Sequence, residues 1–169
     1  MMATMTSSGT AKLTFPSDTQ ILITREFAAP KHLVYKAVTT PELVKKWWNA
    51  KRGEVTVAEI DLREGGKWRY VMVAPTPEGD IEVAFHGEYR EIVPNERIVS
   101  TEAFEGIPDP DANATTNTMT LTEVDGRTTL TVLVDCPSAQ TRDAIVESGM
   151  EAGLQDAYDL LEEVAVSLA

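Results

Sequence analysis

Between residues 55 and 135 the apolar side chains recur at every second position, and beyond 138 they recur every three or four. That switch of period constrains the fold more than any other feature. Six segments carry the first period: VTVAEIDL (55–62), KWRYVMVA (67–74), IEVAFHGEYREI (81–92), RIVSTEAF (97–104), TTNTMTLTEV (115–124) and RTTLTVLVD (127–135). Alternation sends successive side chains to opposite faces, so each segment reads as a strand with one apolar face. Asp125–Gly126 between the last two is a hairpin signal. A seventh strand, QILITREF (20–27), precedes them.

The final segment obeys helical spacing. Ser138 can cap it, and Val146, Gly149, Met150, Gly153, Leu154, Ala157, Leu161 and Val164 form one stripe. A single long helix of about eight turns is expected, and it needs a surface on which to bury that stripe. After the first strand, Pro30 opens one short helix and Thr40–Pro41 opens another. The chain bends between them because a proline disfavours helical geometry in the residue before it. The order gives an α+β fold. The expectation is a seven-stranded antiparallel sheet, strongly curved around the long C-terminal helix, with two short helices after the first strand. Gly65, Gly66 and Gly87 would let the sheet curl. Residues 1–17 read as a disordered tail and 18–169 as a single domain.

Charge narrows the function. The 169 residues carry 15 basic and 27 acidic side chains, a net charge of −12. That field repels nucleic-acid phosphates and anionic lipid, and no apolar run reaches the ~20 residues of a membrane span. Cys136 is the one cysteine, so neither an internal disulfide nor a cysteine zinc cluster can form; a reduced, cytoplasmic setting is compatible. His32 and His86 have no carboxylate at ligand spacing, and no P-loop, G-x-S-x-G or H-E-x-x-H pattern occurs. No metal and no cofactor are expected.

Four stretches carry a family likeness: REFAAPKHLVYKAVTTPELVKKWW (25–48), DLREGGKWRYVM (61–72), HGEYREIVPNERIVSTEAF (86–104) and SGMEAGLQDAYDLLEEV (148–164). With the element order they resemble the START-like, Bet v 1-like helix-grip superfamily, also called SRPBCC. Within it the chain is similar to bacterial homologues of the C-terminal domain of the activator of the heat-shock-protein-90 ATPase. The resemblance implies a sheet gripping the terminal helix, a cavity between them, and in many members an apolar small molecule inside it.

Strand parity supplies candidate lining residues. Trp68, Tyr70, Met72, Phe85, Tyr89 and Met119 share the inward face, and Met150, Leu154 and Tyr158 approach from the helix. Of the adjacent Trp47 and Trp48, Trp48 is expected to close one end and Trp47 to pack between helices. The same residues at the same spacing also suit a solid core, and both readings stand at this point. Glu102 shares parity with Ile98, Ser100 and Phe104. Facing inward, it would be a desolvated carboxylate and a polar anchor, with Ser100 and Tyr158 beside it; a bulge after Ser100 would instead return it to solvent.

The function expected is therefore binding of an apolar or amphipathic small molecule between sheet and helix. Two alternatives stay open. One is a chaperone ATPase-modulating protein acting through the basic segment Lys45–Arg52 or through the outer sheet face. The other is an enzyme using Glu102. A homodimer also stays open.

Overall fold

The computed structural model describes residues 11–49 and 51–169; the first ten residues of the stretch read as a tail lie outside them. In chain order the elements are β1 (Lys12–Thr14), β2 (Gln20–Phe27), α1 (Lys31–Thr39), α2 (Pro41–Trp47), β3 (Glu54–Ile60), β4 (Lys67–Thr76), β5 (Gly79–Val93), β6 (Arg97–Phe104), β7 (Thr115–Val124), β8 (Arg127–Asp135), α3 (Ala139–Glu147) and α4 (Met150–Ser167). One antiparallel sheet orders the strands β1-β2-β8-β7-β6-β5-β4-β3. Among the described residues no helix is long and apolar enough to cross a membrane.

Three expectations are corrected. The sheet has eight strands and not seven: Lys12–Thr14, in the stretch read as tail, pairs with Leu22–Thr24. Gln155 of α4 holds the start of this strand, accepting from the Ala11 N–H at 3.3 Å and donating to its carbonyl at 3.0 Å. Three residues are too few for an alternation pattern to stand out in sequence.

Nor is the sheet a strongly curved wall closed around a helix. It is open, with β1 and β3 at its ends and no pairing between them. The glycines expected to curl it do other work. Gly65 and Gly66 form the β3–β4 turn, Gly65 at φ +82°. Gly87 lies where a Cβ would sit 1.8 Å from the Thr101 carbonyl oxygen and 2.6 Å from the Trp68 indole nitrogen. It permits a close approach of β5 to β6, not a bend.

The long helix is in fact two. Ser148 and Gly149 break it, and Gly149 takes φ +85°, left-handed geometry that glycine enters most readily. Ser138 caps α3 as its sequence suggested, accepting from the Thr141 N–H at 3.1 Å. The hairpin between β7 and β8 also forms as read, with Asp125 and Gly126 both at positive φ.

The core lies between one sheet face and α4. Ile21, Ile23 and Phe27 of β2, Leu121, Leu130 and Val134 of β7 and β8, and Ile98 of β6 meet Ala157, Leu161, Val164 and Ala165. The helices α1 and α2 pack against α4 as well. Arg25 has the parity of Ile21, Ile23 and Phe27, so its guanidinium enters this core. Nη1 donates to the Tyr158 carbonyl at 2.6 Å, and Nη2 donates to Asp159 Oδ1 at 2.9 Å and to Glu162 Oε1 at 3.4 Å. This network pins α4 to β2 and so fixes where Tyr158 stands over the sheet.

Candidate functional site

Parity and register assemble the inward face of β4 to β7. Tyr70 is opposite Phe85, Phe85 is opposite Phe104, Tyr89 is opposite Ser100, and Ser100 is opposite Asn117. A bulge does interrupt this region, but it lies in β5 between Tyr89 and Glu91. The register of β6 on β7 runs unbroken through Glu102, which is paired with Thr115. Glu102 therefore keeps the parity of Ile98 and Ser100 and points inward.

Rings form the wall at one end. The chain leaves α2 at Trp48, whose backbone is extended (φ −71°, ψ 111°). Its indole stands edge-on to Tyr70 at 5.3 Å and to Phe85 at 5.7 Å between ring centres. Tyr70 in turn lies 4.8 Å from Trp68, whose indole N–H donates to the Thr101 carbonyl at 3.2 Å. These are the offset and edge geometries that aromatic quadrupoles favour. Tyr158 of α4 meets Phe27 edge-on at 5.9 Å.

Of the lining residues proposed from sequence, Trp68, Tyr89 and Tyr158 are buried in the main core cluster. Trp48, Tyr70, Phe85, Met119, Met150 and Leu154 are half-buried against it. Met72 is buried opposite Val55 and Val83 and lies outside that cluster. Of the two glycines on the stripe, Gly149 breaks the helix, and a Cβ at Gly153 would sit 3.6 Å from the Arg52 guanidinium.

The polar groups on this face are not all spoken for. Thr115 donates to Asn117 Oδ1 at 2.9 Å, which turns the amide so that Nδ2 donates to Glu102 Oε1 at 2.6 Å. Among the described residues, Glu102 Oε2 and the hydroxyls of Ser100 and Tyr158 have no hydrogen-bond partner. Yet no sealed side-chain nitrogen or oxygen there lacks one. These atoms are therefore not sealed; they meet open space. Burial nevertheless pushes the Glu102 carboxyl upward, with the Asn117 bond opposing. Burial likewise raises Tyr70, Tyr89 and Tyr158, and the Glu102 charge adds to the rise in Tyr70 and Tyr158. Glu102 is thus a half-buried carboxyl with one oxygen bonded to Asn117 and the other open.

Sequence reading passed over Asn117 and Thr115, which orient Glu102. The signal was present: both share the parity of Met119 and Leu121, so they are polar residues at inward positions.

Glu102 makes stability depend on pH. Its folded pKa lies above its unfolded value, so the folded state binds the extra proton. The associated stability is complete below the unfolded value and is lost as pH rises through the folded one. Glu102→Gln is thus expected to be more stable than the parent at neutral pH, with the gap closing in acid. Denaturant melts of both proteins across pH check this.

His86 faces the opposite side of the sheet. Its Nδ1 pairs with Glu105 at 2.8 Å and its Nε2 with Asp111 at 2.6 Å, and Arg69 grips Glu105 through two bonds of 2.9 Å. Arg69 and then His86 hold Glu105 down at about 2, and the bonds to Asp111 and Glu105 raise His86. A raised histidine stabilises below its unfolded pKa and loses that contribution as pH rises through the folded one. Amide exchange of residues 105–114, corrected for intrinsic rates, is expected to quicken over that rise; His86→Gln should remove the step. A separate groove of about 190 Å³, lined by Phe15, Arg142, Asp143, Val146 and Glu147, shares no residue with the inward face.

An antiparallel sheet carrying a C-terminal helix on its inward face, with two short helices after β2, defines a START-like domain of the SRPBCC class. The chain belongs to the family of Activator of Hsp90 ATPase homolog 1-like proteins, whose model matches residues 28–165. A crystal structure of a Rhodobacter sphaeroides protein is similar over 93% of this chain and 99% of its own, at 26% identity and a TM-score of 0.82. A Mycobacterium smegmatis protein matches 90% of this chain and 94% of its own, at 27% identity and TM-score 0.78. One from Chromobacterium violaceum matches 86% and 96%, at 28% identity and TM-score 0.66. Comparison with curated proteins finds no match.

Proposed function

We propose that the chain binds an apolar or amphipathic small molecule between the inward sheet face and α4. One observation carries the reading: three polar atoms from two elements, Glu102 Oε2 and Ser100 Oγ on β6 and the Tyr158 hydroxyl on α4, open onto space instead of onto each other. A solid core would pair them or replace them with apolar groups. Around them stand Trp48, Tyr70, Phe85, Tyr89 and Met119. Apolar walls with a few convergent polar groups are the usual make-up of a small-molecule site, and family membership supports a cavity of this class. Trp68, Met150 and Leu154 complete the wall in this reading, and Met72 stands behind it.

The polar groups would orient a guest whose apolar part supplies most of the binding, at roughly 25 cal/mol per Å² buried. A thermal-shift screen with neutral aromatics and single-chain lipids, backed by native mass spectrometry, tests the reading. Stabilising hits in the parent protein are expected, and Ser100→Phe, which puts a ring into the space, should abolish them. A parent protein with no hit in either measurement would refute it.

A further inference from the structure

Among the described residues Glu102 is a carboxylate that no cation pairs. Among the described residues its ionisation is opposed by burial and eased only by the neutral Asn117 amide. Arg25, the cation of the inward face, is engaged by Asp159, Glu162 and the Tyr158 carbonyl. Arg52 at the edge of α4 pairs with Asp156 at 3.7 Å. The other ionisable groups turned toward Glu102 are the phenols of Tyr70 on β4 and Tyr158 on α4, with Tyr89 of β5 next to Tyr70. They are neutral at physiological pH and can offer π-faces or hydroxyls but no positive charge.

A half-buried carboxylate with one oxygen on a neutral amide and the other open is stabilised by a group that brings a countercharge to it. The neighbouring walls suit a cation too. Trp48 meets Tyr70 and Phe85 at ring separations of 5.3 and 5.7 Å, and ring faces attract ammonium groups. The surrounding field agrees, because a net charge of −12 concentrates cations and repels anions.

We propose that the guest is an organic amine, its ammonium group paired with Glu102 Oε2 and its apolar part lying against Trp48, Tyr70 and Phe85. The inference rests on the enclosed-guest reading above and adds the charge of the guest. It excludes fatty acids and other anionic amphiphiles, whose head groups would face Glu102 unpaired.

The test compares phenethylamine with phenethyl alcohol by titration calorimetry. The two share a ring and a spacer and differ in charge. The amine is expected to bind the parent at least about tenfold more tightly, the effect of one charge-assisted bond in a desolvated place. In Glu102→Gln that preference should vanish. A second readout needs no variant: amine affinity should climb as pH rises through the ionisation of Glu102, while alcohol affinity stays flat. Equal binding of the two compounds, or an amine preference that survives in Glu102→Gln, overturns the amine assignment and leaves the enclosed guest standing. If neither compound binds while neutral lipids do, the amine assignment again falls alone. If those are silent as well, both readings fall.

Discussion

Arg25→Met is expected to cost about 3–5 kcal/mol of folding stability, the range for removing one partner of a buried ion pair. Arg25 is 1% exposed, and its guanidinium holds three groups of α4: the Tyr158 carbonyl, Asp159 and Glu162. It also lies 4.8 Å over the Phe27 ring. Methionine refills much of the volume, so the loss isolates the charge. Glu162, 8% exposed, would keep the Ala28 N–H at 2.9 Å and the attraction of Arg127 but lose the Arg25 guanidinium, and its carboxyl is already pushed up by burial. The double variant Arg25→Met/Glu162→Leu removes one of the two carboxylates that Arg25 faces, Asp159 remaining, and is expected to recover part of the loss. Equilibrium unfolding in denaturant checks both. Because the same guanidinium holds the Tyr158 backbone, the single variant should also weaken guest binding without touching the guest.

Trp47→Ala is expected to cost about 3–5 kcal/mol, as large aromatic deletions in cores do. Trp47 is 9% exposed, and its indole N–H donates to the Ala37 carbonyl at 3.0 Å. That carbonyl belongs to the last turn of α1, where backbone acceptors lack partners within the helix. The variant therefore opens a void and orphans an acceptor at once. Its neighbour should behave differently. Trp48 is half-buried and makes its ring contacts with Tyr70 and Phe85 at the proposed site. Trp48→Ala is expected to cost less than about 2 kcal/mol and to remove guest binding. The contrast, read by unfolding and by calorimetry on both variants, separates a residue that holds helices together from one that lines the site.

Much of this was legible in sequence, and the failures have definite causes. Seven strands stood out because each is long enough for alternation to register. The Thr40–Pro41 step marked the break between α1 and α2, and Asp125–Gly126 marked a turn that needs positive φ twice. What failed was geometry beyond the single element. A glycine on a helical stripe reads as a small residue; only the backbone shows that Gly149 ends one helix and starts another. Gly87 read as a place to bend, whereas its missing Cβ makes room for the Thr101 carbonyl. Sheet openness depends on how the ends meet, which period-two patterning does not encode.

The site was half legible for the same reason. Parity placed Glu102 among inward residues, and the register of β6 on β7 keeps it there. Parity also held Arg25, Thr115 and Asn117, but an apolar stripe draws attention away from the polar residues that interrupt it. The partners of Arg25 and Asn117 come from α4 and β6, distant in sequence, so the spacing of any one segment could not pair them. A polar residue at inward parity was the signal in each case.

The central claim is that unfilled space lies beside Glu102 between β6 and α4. A crystal structure of the full chain, purified without added ligand, tests it most directly. The expected result is solvent or guest density in contact with Glu102 Oε2, the Ser100 hydroxyl and the Tyr158 hydroxyl. The contrary result is a Glu102 bonded straight to Tyr158, with Met119, Leu154 and Trp48 packed over them and no density left to assign.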